Sequence, residues 1–148
     1  MNTIRIYTIG FTQTSAESFF GKLTKAGVKK VVDARLNNSS QLAGFAKKDD
    51  LRYFLKALGK INYIHMPVLA PSEDIFTEYK KNKGDWQKFE KKFLALMAAR
   101  RTDHVLSPGE LDKACLLCSE HLPEHCHRRL VAEYLKKKWG KVEIVHLA

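Results

Sequence analysis

The chain is poor in several things, and each shortage excludes a class of protein. Only three of its 148 residues are cysteine (Cys115, Cys118 and Cys126). An odd, small number builds no disulfide framework and fits a reducing compartment. Four prolines and eight glycines rule out collagen-like and low-complexity chains. The longest apolar run, Phe93 to Ala99, is far shorter than the ~20 residues of a membrane span. The start, MNTIRIYTIG, has no basic region followed by an apolar stretch, so no export signal is expected. The expectation is a cytoplasmic protein with no membrane contact.

Acidic residues are also scarce, 16 against 26 lysines and arginines, for a net charge of +10. Residues 1–74 and 75–148 each carry +5, so the excess is no detachable tail. Such a surface favours an anionic partner. The length fits one domain of roughly 100–200 residues. Residues 73–101 are the place for a helical insertion.

What is present is an alternation of strands and helices. Strands are predicted at Ile4–Gly10, Val28–Asp33, Ile61–His65, Ala114–Ser119 and Val142–Leu147. The first helix opens on a capping box of Thr14 and Glu17, buries Ala16, Phe19, Phe20 and Leu23, and stops at Gly27. Asp49–Leu58 is the second, with Leu51, Phe54, Leu55 and Leu58 inward and Gly59 at its end. Glu73–Lys81, Asp85–Arg101 and Pro123–Trp139 follow. Short apolar strands alternating with helices predict an α/β, Rossmann-like, three-layer fold with a mostly parallel five-stranded sheet. The expected strand order is 3-2-1-4-5. Ligands of such sheets bind beyond the C-terminal ends of the strands.

The polar residues gather at that edge. Gly10 and Thr12 follow the first strand; Asp33, Arg35, Ser39 and Ser40 follow the second; His65 ends the third. Cys118 and Glu120 end the fourth, before His121, His125, Cys126, His127 and Arg128. The start of the last helix holds His125, His127, Arg128 and Arg129 against Glu124 alone. Cations are disfavoured at a helix N-terminus, and a bound phosphate would reverse that cost. The same field would favour a thiolate at Cys126. Arg35 and Arg128, with Gly10, Thr12, Ser39 and Ser40, are therefore candidate ligand-binding residues. Asp33, His65 and Glu120 are candidates for acid–base work, and Cys126, activated by His127, for a nucleophile.

Three alternatives stay open. Asp33 and Arg35 could form an internal ion pair. No cofactor is expected, but Cys118, Cys126 and His127 carry sulfur and nitrogen ligands suited to zinc. Cys115 and Cys118, three apart on a strand, point to opposite faces and do not share a metal. The third alternative is a non-catalytic nucleic-acid module using Lys80, Lys81, Lys83, Lys88, Lys91 and Lys92 with Trp86 and Phe89. Those aromatics also fall at core spacing.

Together these residues resemble the bacterial and archaeal family catalogued as domain of unknown function 488. Its TIGHS motif is similar to Thr8-Ile9-Gly10, and its aspartate-hydrophobic-arginine motif to Asp33-Ala34-Arg35 with Ser39 or Ser40 and Phe45. Its tyrosine-x-histidine-x-proline-x-leucine pattern resembles Tyr63, His65, Pro67 and Leu69. Its last motif resembles Cys118, Glu120, Pro123, Cys126, His127 and Arg128 in order and spacing. Phe11 stands where the family usually has histidine, and Ala70-Pro71 where it usually has two glycines. The resemblance implies a site at these motifs without a reaction; loose associations with DNA-related functions agree with the charge. Taken together, the expected partner is a phosphate-bearing small molecule or a nucleic acid, handled by hydrolysis or group transfer, with the oligomeric state open.

Overall fold

The computed structural model describes residues 3–35, 44–81, 85–118 and 126–147. Five strands, β1 (Ile4–Gly10), β2 (Lys30–Asp33), β3 (Asn62–His65), β4 (Ala114–Cys118) and β5 (Val142–Leu147), form one sheet. All four pairings are parallel. Helices α1 (Ala16–Ala26) and α2 (Lys48–Gly59) connect β1 to β2 and β2 to β3. Helices α3 (Glu73–Lys81), α4 (Trp86–Ala99), α5 (Thr102–Val105) and α6 (Pro108–Leu111) lie between β3 and β4, and α7 (His127–Trp139) joins β4 to β5.

The sheet is the middle of three layers, as expected for a Rossmann-like fold. One core packs Tyr7, Ile9, Val31 and Leu117 against Phe19, Leu23, Leu51 and Leu55 of α1 and α2. The other packs Ile6, Val32 and Leu116 against Phe93, Met97, Val131 and Leu135 of α4 and α7. Alternating residues of one strand thus feed opposite cores.

The strand order is β3-β2-β4-β1-β5, not 3-2-1-4-5. Burial explains the correction. All five residues of β4, Ala-Cys-Leu-Leu-Cys, are buried, whereas β3 has two exposed positions and lies at an edge. A continuous apolar run belongs at the centre of a parallel sheet. From β1 the chain moves past β4 to β2 and β3, returns to the centre, and then passes β1 to reach β5. Right-handed crossovers therefore put α1 and α2 on one face and α4 and α7 on the other. The reversal brackets β4, so its end at Cys118 lies between the ends of β1 and β2.

Local details also differ from expectation. The cap of α1 is Ser15, which accepts from Ser18 N–H at 3.1 Å, rather than Thr14. Gly27 ends α1 at φ 78° as predicted. At the end of α2 the left-handed residue is Lys60, φ 54°, and Gly59 is still helical. Gly59 has a different reason to be small: a Cβ there would lie 2.7 Å from Thr24 Cγ2 of α1. Phe54 and Leu58 are exposed, so α2 buries only Leu51 and Leu55. The helix predicted over Asp85–Arg101 ends at Ala99, and Arg101 turns the chain at φ 54° into α5.

Candidate functional site at the sheet edge

The end of β2 is closed by an ion pair. Asp33 is fully buried and Arg35 is 2% exposed. Arg35 donates from Nε to Asp33 Oδ1 and from Nη2 to Oδ2, both at 2.8 Å. Arg35 N–H also donates to Oδ1, and the Tyr63 hydroxyl donates to Oδ2. The guanidinium lies over the Phe11 ring, 5.2 Å from Cζ to centroid. This is the bidentate fork that arginine forms with carboxylates. With its oxygens occupied by four donors, Asp33 serves to orient Arg35. Arg35 Nη1 is buried and has no hydrogen-bond partner among the described residues.

Two histidines grip the backbone just beyond. His65 Nε2 meets Arg35 O at 2.9 Å, and His127 Nε2 meets Ala34 O at 2.6 Å. A carbonyl only accepts, so both Nε2 atoms carry a proton. Burial holds the His127 pKa down to about 4, against a smaller upward pull from the Ala34 hydrogen bond. The ring is therefore neutral near pH 7. Phe93 of α4 meets it edge-on at 5.6 Å.

The start of α7 brings the sulfurs in. Cys126 is the N-cap, 3% exposed, and its side chain makes no capping bond. Described helix begins at His127; Pro123, the expected start, lies outside the described residues. Cys118 and Cys126 meet sulfur to sulfur, with Cα atoms 7.2 Å apart. Arg128 is fully buried and donates from Nη1 to Cys118 Sγ at 3.2 Å. Ligand atoms of Cys118, Cys126 and His127 all lie within 4.8 Å of one another. Cys115 packs among the residues of the α1 and α2 core, and burial pushes its thiol pKa up.

The sheet thus unites Asp33, Arg35, His65, Cys118, Cys126, His127 and Arg128 at one edge. Gly10 ends β1 in register with Cys118, and Thr12 follows, half-buried. Glu120, Ser39 and Ser40 lie outside the described residues, as do His121 and His125.

A family model described as Domain of unknown function DUF488 matches residues 15–135. The chain belongs to the DUF488 family. No curated protein and no solved structure matches it. The DUF488 match takes in every edge residue from Asp33 to Arg128 and leaves β1, with Gly10 and Thr12, outside it.

Three contributors went unassigned in the sequence. Tyr63 was visible only as part of a motif, and its hydroxyl completes the Asp33 shell. Phe11, read as a departure from the family, is the surface on which Arg35 rests. Arg100 donates to the carbonyls of Val68 at 2.9 Å and Ala70 at 2.6 Å, holding the loop before Pro71. The lysine-rich segment is less open than a stacking surface needs. Tyr79, Trp86, Phe89 and Phe93 pack on one another at 4.9–6.0 Å, and Phe89 and Phe93 are buried. No helix among the described residues is long and apolar enough to cross a membrane.

Proposed function

We propose that this DUF488 protein binds a phosphate-bearing ligand, a nucleotide or nucleic-acid phosphate, at the C-terminal edge of its sheet and acts on it by hydrolysis or group transfer. The observation that carries this reading is Arg35. Asp33 fixes one side of its guanidinium, while Nη1 on the other is buried and without an acceptor among the described residues. A buried donor left unmet costs about 1–3 kcal/mol. An oxyanion supplied by a ligand would remove that cost. The nearby N-terminus of α7, with no acidic residue in its first turn, adds a field of the same sign. The +10 net charge would speed the approach of such a ligand.

Titration calorimetry with inorganic phosphate, pyrophosphate, a nucleotide panel and short oligonucleotides tests this. Binding should weaken at least about tenfold in Arg35→Lys, which keeps the charge but loses the fork, or roughly 1.4 kcal/mol. A folded wild-type protein that binds none of these ligands would overturn the reading. So would oligonucleotide binding that survives Arg128→Ala and disappears on charge reversal of the exposed Lys88, Lys91 and Lys92. That result would instead identify a nucleic-acid-binding surface on α4.

A further inference from the structure

We infer that Cys118, Cys126 and His127 form a three-ligand site for a soft divalent cation, zinc foremost, with the fourth position open to water or ligand. The three come from two elements that the topology forces together. Cys118 ends the central strand, and Cys126 and His127 begin the helix that follows it. Their ligand atoms lie within 4.8 Å of one another. Sulfur and nitrogen ligands at about 2.3 and 2.0 Å from a tetrahedral ion stand roughly 3.5–3.8 Å apart, so side-chain adjustments that part the two sulfurs complete the site.

Three observations match a metal site. His127 donates its Nε2 proton to Ala34 O at 2.6 Å, which fixes the ring and leaves the Nδ1 lone pair. Metal-bound histidines are held in this way, by a carbonyl or carboxylate on the other nitrogen. Arg128 Nη1 donates to Cys118 Sγ at 3.2 Å, which fixes the sulfur at the end of β4. Cys126 sits at the N-cap of α7, and its side chain makes no capping bond.

The same sulfurs cannot be both a disulfide and two ligands. Their Cα separation of 7.2 Å lies beyond the about 4.4–6.8 Å that disulfides usually span. Two sulfurs bridged by an ion tolerate the wider spacing. Thiolate and imidazole ligands select zinc over magnesium or calcium. Three protein ligands leave one position free, as in catalytic rather than structural zinc centres.

This assignment stands without the phosphate reading, but its consequence for chemistry rests on it. A metal here would activate water for hydrolysis. Cys126 would then be a ligand and not a nucleophile.

The test is titration of the reduced, metal-stripped full chain with cobalt(II) alone, read by absorption. The expected result is one equivalent bound, with thiolate-to-cobalt charge-transfer and tetrahedral ligand-field bands that zinc displaces. Cys118→Ser, Cys126→Ser and His127→Ala should each weaken binding at least about tenfold, and Cys115→Ser should leave it unchanged. Circular dichroism reports whether each variant folds. No thiolate band in folded, reduced wild type would overturn the proposal, as would full binding in the Cys118→Ser/Cys126→Ser double variant. No phosphate is present in this titration, and phosphate binding is measured on the metal-stripped protein, so either reading can fail alone.

Discussion

Two corners of one sheet edge, about one strand apart, solve the problem of buried polarity in opposite ways. At the end of β2, Asp33 is surrounded by donors and its charge is matched by Arg35. At the end of β4, ligand atoms of Cys118, Cys126 and His127 gather within 4.8 Å of one another. The first corner is saturated on the acceptor side and keeps one spare donor, Arg35 Nη1. The second is rich in electron pairs. A saturated corner contributes rigidity, and an electron-rich one is where we propose a cation. With the proposed cation at the second corner, the spare donor at the first would suit an anionic ligand that touches both.

The comparison breaks most easily at Asp33. Asp33→Ala leaves a buried guanidinium without its counter-charge, and about 3–5 kcal/mol of stability should be lost. Denaturant unfolding measures this. Cys126→Ser in metal-free protein should cost under about 1 kcal/mol by the same method, because no ion then depends on it. Equal losses in the two variants would erase the distinction between the corners.

Arg100→Ala comes next. It removes a partly buried cation from the carbonyls of Val68 and Ala70, and the loss should be roughly 2 kcal/mol. Thermal unfolding reads it, and hydrogen exchange should localise the loosening to residues 67–71. Unchanged protection there would show that the prolines alone hold the loop.

The third effect is pH dependence in metal-free protein. The folded pKa of His127 is held down to about 4 from an ordinary 6.5, mainly by burial. Between those values the unfolded chain binds more protons than the folded one. Stability is therefore complete above pH 6.5 and falls as pH drops toward 4. The half-buried ring limits the loss to about 1–2 kcal/mol. The loss should vanish in His127→Gln, measured as the pH dependence of the urea midpoint. A smaller effect is that of Tyr63→Phe, which deletes one of four donors to Asp33 and should cost about 1 kcal/mol.

Much of this was legible in the sequence, for definable reasons. Alternating apolar strands and amphipathic helices announce a parallel three-layer fold, and chemistry-bearing residues at strand ends announce the edge. Strand order was harder, because 3-2-1-4-5 and the observed order share the same alternation of elements. The distinguishing sign was the uncharged Ala114–Cys118 run, which only a central strand buries completely. Asp33, Arg35, His127 and Arg128 carry charge or titrate, so they stood out. Tyr63 and Phe11 read as ordinary core aromatics, since nothing local shows that one donates to a carboxylate and the other underlies a guanidinium. Arg100 was hidden differently: a cation near a helix C-terminus is already explained by the helix field. The Cys118–Cys126–His127 convergence depends on a strand end meeting a helix start in space, and spacing along the chain alone does not decide it.

The most direct test is a crystal structure grown with zinc and inorganic phosphate, with anomalous scattering recorded at the zinc edge. The account predicts one anomalous peak bound by Cys118 Sγ, Cys126 Sγ and His127 Nδ1, and a phosphate oxygen within hydrogen-bond distance of Arg35 Nη1. A metal-free Cys118–Cys126 disulfide, with Arg35 Nη1 bonded to the protein's own backbone, would contradict it.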